Sequence, residues 1–220
     1  MLAVVSKRTY GQYCGLAEAL DVVGQRWALL IVRDLVPGPR RFTDLFQGLP
    51  GVSTDLLTDR LRSLEAAGAI RRREIRTPVP ASLYELTDRG RELAQIAGSL
   101  ARWGAPLLPG LDEPGERSVN GRWLLQYCSG RYRGGLPDGD VHILLDDNEE
   151  LTLSLTAEAG QLHYGHSDRE PLLTLTLPTA ALPALLRNPP ADADHLPPEV
   201  NVEGQAELFG PLLRALQARD

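Results

Sequence analysis

The sequence predicts an α+β protein of two domains, a helical domain followed by one that is rich in strands. The chain has 220 residues, enough for two domains of about 100 residues each. Apolar residues recur at helical spacing in the first half and alternate with polar residues in the second. Residues 105–115 contain three prolines and two glycines. We therefore expect a first domain at 1–105, a linker at 106–114 and a second domain at 115–220.

The net charge of −6 is divided unevenly between these halves. Residues 1–105 carry 15 basic and 11 acidic side chains, whereas residues 106–220 carry 8 and 18. Such an asymmetry indicates an interaction module at one end of the chain. The acidic total therefore does not exclude a nucleic-acid partner for the first domain.

Composition excludes several classes of protein. Hydrophobic residues make up 43% of the chain, which supports a packed core, and two cysteines, Cys14 and Cys128, are too few for a disulfide framework. No apolar run approaches the roughly 18–20 residues that span a bilayer. The N-terminus lacks the apolar core of a signal peptide. We expect a cytoplasmic protein.

The first domain begins with three predicted helices. Leu16, Leu20 and Val23 recur at helical spacing, and Gly24 ends that segment. Residues 26–36 are apolar on nearly all sides, which predicts a buried helix that ends at the Pro-Gly-Pro of 37–39. Residues 42–46 form a short third helix.

A fourth helix follows, with an apolar and a polar face. Ser53 is placed to cap its N-terminus. Leu57, Leu61 and Leu64 form its buried stripe, and Gly68 ends it. A short helix, a tight turn and a second helix with a polar outer face make a helix-turn-helix.

A basic hairpin and a long helix complete this domain. Residues 70–76 alternate as a strand and carry four arginines, and a turn at 77–80 joins them to a strand at 82–86. Thr87 then caps a helix whose apolar stripe contains Leu93, Ile96, Leu100 and Trp103. The arrangement predicts a winged helix. We expect this stripe to supply part of a dimer interface, together with the N-terminal helix, and also to pack within the chain.

Many residues of this domain match one family pattern in register: Cys14, Gly24, Trp27, Arg41, Phe42, residues 50–53, Leu57, Arg60, Leu61, Leu64, Gly68, Pro80, Tyr84, Leu86, Thr87 and Gly90. On these residues, 14–103 resemble the HxlR-type winged-helix transcriptional regulators, relatives of the MarR group. The resemblance implies a bacterial regulator that binds a roughly palindromic operator as a homodimer. It also places Cys14 where some members carry a thiol sensor, which makes redox sensing an alternative to buried, inert packing of that thiol.

The predicted DNA contacts fall into two groups. Phosphates are expected to be neutralised by Arg40, Arg41, Arg72, Arg73 and Arg76. The front and outer face of the fourth helix are expected to contact bases through Ser53, Thr54, Asp55, Thr58 and Arg62.

Each of these contacts has an alternative. Asp55 either accepts a hydrogen bond from a cytosine N4 or only stabilises the positive helix N-terminus. Arg62 either contacts DNA or pairs with Asp59. The wing arginines either neutralise phosphates or are simply solvated.

The second domain is predicted to be a meander of strands with two helices. Strands are expected at 141–145, 151–155, 161–164 and 172–177, and a short one at 199–204. Helices are expected at 180–186 and 209–216. Through residues 173–176, 184–186 and 201–204 before Leu208, this half resembles the sterol-carrier-protein-2-like fold, an α/β sandwich. In that fold a sheet covered by helices encloses an apolar cavity.

A hydrophobic small-molecule effector is therefore the expected ligand of the second domain. The candidate pocket residues are Trp123, Tyr127, His142, Leu144, Leu153, Leu155, His163 and Tyr164. His163 and His166 have the spacing of a metal pair, but on a strand they point to opposite faces, so we expect no metal. No catalytic motif is present, and we expect neither a cofactor nor an enzyme.

These features predict a DNA-binding transcriptional regulator that acts as a homodimer and is controlled by a hydrophobic small molecule. One alternative is a regulator that senses oxidants through Cys14. Another is a lipid-like small-molecule carrier or enzyme in which the winged helix only mediates dimerisation.

Overall fold

A computed structural model of the chain describes residues 9–75, 81–107, 121, 123, 125, 132, 134–145, 151–159, 161–165, 167, 169–190 and 195–216. The chain divides into two compact units, Met1–Ala97 and Gly98–Asp220. The division falls inside a long helix, and most of the predicted linker at 106–114 lies outside the described residues. The predicted boundaries of the linker therefore stay a prediction.

The first unit has the element order of a winged helix. Its elements are α1 (Gly15–Val23), α2 (Ala28–Asp34), β1 (Arg40–Arg41), α3 (Phe42–Gly48), α4 (Thr54–Ala66), β2 (Ile70–Ile75), β3 (Ala81–Leu86) and α5 (Asp88–Gly104). The three strands form an antiparallel sheet in the order β1-β3-β2. Helix α4 ends at Ala66, and the glycine predicted to end it, Gly68, follows two residues later with a φ of 71°, which suits a residue without a side chain.

The buried faces of these elements form one core. The predicted stripe of α4, Leu57, Leu61 and Leu64, is almost completely buried and packs with Ile31 of α2 and Ile70 of β2. Helix α2 begins at Ala28 rather than at residue 26 as predicted, because the preceding Trp27 takes a left-handed φ of 80° that a helix cannot include.

The described residues of the second unit include a mixed five-stranded sheet and two helices that follow the last two strands of the chain. The strands are β4 (Gly139–Leu145), β5 (Leu151–Glu158), β6 (Gln161–Gly165), β7 (Leu173–Leu177) and β8 (Asn201–Gly204), in the order β6-β5-β4-β7-β8. The helices are α6 (Leu182–Arg187) and α7 (Phe209–Leu216). The predicted α+β class is therefore confirmed, whereas the likeness to the sterol-carrier-protein-2-like fold stays a prediction.

The predicted meander is wrong in one respect. Strand β7 does not continue from β6 but crosses the sheet to pair in parallel with β4. This placement sets Leu173 and Leu175 beside Val141 and Ile143, so that the apolar faces of the two strands join one core. Helix α7 packs against this core through Phe209, Leu212, Leu213 and Leu216. Among the described residues, no helix is long and apolar enough to cross a membrane.

Candidate nucleic-acid interface

Helix α4 presents a polar front and outer face, as expected for a recognition helix. Its N-terminus is capped by Ser53, whose Oγ accepts a hydrogen bond from the backbone N–H of Leu56 at 3.3 Å. Thr54 and Asp55 in the first turn are exposed. Because the opposite stripe of the helix is buried in the core, these side chains face outward. The structure therefore brings the predicted base-contacting residues to one surface.

Two further residues of that surface already have partners within the helix. The hydroxyl of Thr58 donates to the carbonyl oxygen of Thr54 at 2.8 Å, so its methyl group and lone pairs remain for an external contact. Arg62 Nη1 lies 4.0 Å from Asp59 Oδ1, and the Arg62 side chain is 77% exposed. Exposed pairs of this kind contribute about 0–1 kcal/mol. The pair with Asp59 therefore does not prevent Arg62 from contacting DNA.

The wing carries its arginines on two faces. In the register of β2 and β3, Arg72 lies opposite Tyr84, and Arg73 lies opposite Leu83. Strand β1 pairs with the same two residues from the other edge of β3, since Arg40 lies opposite Tyr84 and Arg41 lies opposite Leu83. Side chains directly opposite each other share a face. One face therefore carries Arg40 and Arg72, and the other carries Arg41 and Arg73.

Acidic side chains hold these arginines in place. Glu85 accepts a hydrogen bond from Arg71 Nε at 2.6 Å, and its second oxygen lies 3.6 Å from Arg73 Nε. On the other face, Arg72 Nη2 lies 3.0 Å from Glu74. A phosphate that binds at the wing would therefore have to compete with these carboxylates.

Arg71 was not predicted to contact DNA, although it shares a face with Arg73. The alternation of the strand could have predicted this, because the side chains of residues 71 and 73 both lie on the face opposite to that of the buried Ile70. Arg76, the remaining predicted wing contact, lies outside the described residues.

Helix α5 exposes most of its apolar stripe. Leu93 packs against the core of the first unit. By contrast, Ile96 is 64% exposed, Leu100 is 50% exposed and Trp103 is 73% exposed. Leu93 therefore packs within the chain as predicted, and the other three residues are at least half exposed in the part of the chain that the structure describes.

Comparisons with known proteins agree with this geometry. The sequence profile of HxlR-like helix-turn-helix proteins matches residues 22–110. YvaP of Bacillus subtilis strain 168, an HTH-type transcriptional regulator, is 40% identical over 87 residues, which are 39% of this chain and 80% of YvaP. The chain belongs to the HxlR-like helix-turn-helix family.

Two further proteins are similar over the same part of this HxlR-like chain. The HTH-type transcriptional regulator sll1512 of Synechocystis sp. PCC 6803 is 37% identical over 98 residues, 44% of this chain and 73% of sll1512. The reduced form of the transcriptional regulator YodB from B. subtilis is 30% identical, covers 48% of this chain and 100% of YodB, and has a TM-score of 0.39. The family profile and the two sequence relatives, YvaP and sll1512, show that the chain is a DNA-binding transcriptional regulator of the HxlR type, and residues after 110 lie beyond the family match.

Cys14 of the HxlR-like unit is a free, exposed thiol at the start of α1. Hydrogen bonds from the backbone N–H groups of Ala17 and Leu16 lower the pKa of this thiol. The thiol is therefore exposed rather than buried, and its lowered pKa favours the thiolate form.

The predicted pocket residues of the second unit do not converge on one surface. His142 and Leu144 point to one side of β4, and Leu155 and Tyr164 pair in register on the other side, where Leu155 is completely buried. Trp123 is half-buried. Tyr127 and the side chains of Leu153 and His163 lie outside the described residues. The structure therefore separates His142 and Leu144 from Leu155 and Tyr164.

A buried polar cluster on the His142 side of the sheet was not predicted. Asp140 is 1% exposed and accepts a hydrogen bond from the hydroxyl of Ser167. Burial raises the pKa of Asp140, but hydrogen bonds from Ser167 and Thr156, together with the charges of Arg169 and His142, outweigh burial and hold this pKa below its usual value. Within the described residues, no group of three or more His, Cys, Asp or Glu could hold a metal ion.

Proposed function

We propose that this HxlR-like chain binds an operator as a homodimer and that a hydrophobic small molecule bound in the second unit controls that binding. The observation that carries the proposal is the exposed polar face of α4, capped by Ser53, beside a wing that presents arginines. A helix with this face fits the major groove, and basic side chains beside it neutralise phosphates.

We assign two roles within this interface. Thr54, Asp55, Thr58 and Arg62 contact base edges, while Ser53 caps the helix that presents them. Phosphate contacts are assigned to the arginines at 40, 41, 71, 72, 73 and 76, with the larger share on the face that carries Arg41, Arg71 and Arg73. Operator affinity should then decrease steeply with salt, since each phosphate contact adds about 0.9 to the log–log slope.

The exposed stripe of α5 supports the homodimer. Ile96, Leu100 and Trp103 recur at helical spacing and are all at least half exposed. An apolar surface of this kind on a helix indicates a protein partner, and a second copy would place two recognition helices about 34–36 Å apart on one face of a duplex. Trp103→Glu should therefore shift the protein towards monomer in sedimentation experiments and weaken operator binding. A dimer that persists in this variant would exclude Trp103 from the interface.

The effector site is proposed on the side of the sheet that carries His142 and Leu144. His142 Nε2 is buried and has no hydrogen-bond partner among the described residues, so it could anchor a polar group of a mostly apolar ligand. An effector acts only if it binds the DNA-competent and incompetent states with different affinity. Anilinonaphthalene sulfonate is a suitable apolar probe. It should bind the wild type, bind His142→Leu more weakly and change operator affinity only in the wild type.

The second candidate function is thiol-based redox sensing. The lowered pKa and the exposure of Cys14 favour it. A mild oxidant should release the operator from the wild type but not from Cys14→Ser, and this result would establish the function. Equal release in both proteins would exclude it.

The decisive experiment for the main proposal is selection of duplexes from a random library by the purified protein. Enrichment of an inverted repeat with half-sites about 10 base pairs apart is expected for a symmetric dimer. Failure to enrich any sequence would favour the alternative in which the winged helix only mediates dimerisation of a small-molecule carrier.

A further inference from the structure

The connection between α1 and α2, residues 24–27, is tightly constrained, and we call it the joint. Gly24 closes α1 with its N–H bonded to the carbonyl of Leu20, and a Cβ at Gly24 would lie 2.5 Å from that carbonyl oxygen. Trp27 has a φ of 80°, which bulky residues rarely adopt, and its side chain is buried in the core. A bulky residue keeps such a conformation only where its surroundings fix it. Packing around Trp27 therefore holds the joint in this conformation.

A side chain of the recognition helix bonds directly to this joint. Arg60 of α4 donates a hydrogen bond from its Nε to the carbonyl oxygen of Arg26 at 3.2 Å. The guanidinium of Arg26 lies 4.9 Å from the centroid of the Trp27 ring. The carbonyl of Trp27 in turn accepts from the N–H of Ile31 in α2. Arg60 thus ties α4 to the point where α1 ends and α2 begins.

We propose that Arg60 is a positioning residue for DNA binding. Its bond to Arg26 fixes the orientation of α4 against the joint, so that Arg60 sets the preference for the operator over other DNA instead of adding a phosphate contact. The inference rests on the proposed role of α4 as the recognition helix. It also assigns opposite roles to two arginines of one helix, since Arg62 points outward with 77% of its side chain exposed.

Substitution of Arg60 by lysine distinguishes a positioning role from a phosphate contact. A phosphate contact depends mainly on positive charge, which lysine keeps. The bond to the Arg26 carbonyl depends on an N–H at the Nε position of a planar guanidinium, which lysine lacks. A lysine at 60 should therefore preserve a phosphate contact and remove the positioning bond.

The experiment compares Arg60→Lys and Arg60→Gln with the wild type on two duplexes of about 30 base pairs, one recovered by selection and one of scrambled sequence. Both variants should lower the affinity for the selected duplex about tenfold and leave the affinity for the scrambled duplex and the salt slope unchanged. The matched controls are at Arg73, a proposed phosphate contact: Arg73→Gln should reduce the salt slope by about 0.9, and Arg73→Lys should restore it.

Hydrogen exchange of the free protein supplies a readout that does not depend on DNA. Faster amide exchange over residues 24–34 is expected in both Arg60 variants, with thermal unfolding as the check that each variant is folded. Three outcomes would each overturn the proposal. Arg60→Lys could keep the wild-type preference for the selected duplex, or Arg60→Gln could reduce the salt slope. Amide exchange over residues 24–34 could also be unchanged in both variants. If the wild type selects no duplex, the proposed operator binding fails, and the exchange measurement still decides whether Arg60 holds the joint.

Discussion

Arg72 and Arg73 are neighbours in the wing, yet they project from opposite faces of the hairpin. Arg72 lies opposite Tyr84 and pairs with Glu74, whereas Arg73 lies opposite Leu83. A duplex that lies along one face of the hairpin therefore meets one of these arginines. The wing has two arginine surfaces, and they should contribute unequally to DNA binding.

Single substitutions should separate the two surfaces. Arg73→Ala is expected to weaken operator binding several-fold and to reduce the log–log salt slope by about 0.9. Arg73 shares its face with Arg41 and Arg71, so that face has the larger positive charge. Arg72→Ala should have a smaller effect on both quantities. Gel shifts between about 50 and 200 mM salt measure the slope, and equal losses in the two variants would show that DNA contacts both faces.

Removing the cap of α4 should destabilise the first unit. Ser53→Ala deletes the oxygen that accepts from the N–H of Leu56, and loss of such a cap costs about 1 kcal/mol. Urea unfolding of the whole chain measures the loss. Ser53→Asp keeps an acceptor at the same position and should retain most of the stability. A Ser53→Ala variant as stable as the wild type would show that the 3.3 Å bond contributes nothing.

The thiol of Cys14 should react faster than an ordinary cysteine at neutral pH. Backbone N–H groups of Ala17 and Leu16 lower its pKa, and the thiolate is the nucleophile. The rate of alkylation by iodoacetamide should therefore reach half its maximum at a lower pH than the same rate does for a free cysteine in a short peptide. Subtraction of the rate in Cys14→Ser removes any contribution of Cys128. A midpoint at or above that of a free cysteine would contradict the lowered pKa.

Much of the first unit could be predicted because each helix and strand carries its own signal. The stripe of α4 and the cap at Ser53 identified the recognition helix from local spacing alone, and the structure confirms both. The left-handed Trp27 had no such signal. Tryptophan does not prefer this conformation, and packing against the core imposes it.

The second unit was less predictable because alternation defines the two faces of a strand but not its neighbours. The leucines of β7 indicated a half-buried strand, and the pattern fits equally well beside β6 or β4. For the same reason, the candidate pocket combined His142 with Leu155, which face opposite sides of the sheet. The buried Asp140 was missed because its partner Ser167 lies 27 residues away.

Asp140 should make the stability of the second unit depend on pH. Its pKa in the folded protein is lowered by the hydrogen bonds and charges that outweigh burial. Its stabilising contribution is therefore complete above the pKa of the unfolded chain, about 3.9, and is lost as the pH falls through the lower folded pKa.

Asp140→Asn tests this dependence directly. At neutral pH the variant should lose about 1–3 kcal/mol, because the hydroxyl of Ser167 then meets a neutral amide in place of a carboxylate. Below about pH 4 the difference from the wild type should shrink, since protonation removes the same charge from Asp140. Chemical unfolding across this pH range measures both effects. Glu170→Gln is the control. It removes an exposed carboxylate of the same unit, and its difference in stability from the wild type should not change with pH. A constant gap between Asp140→Asn and the wild type at every pH would show that the ionised form of Asp140 is not what stabilises the fold.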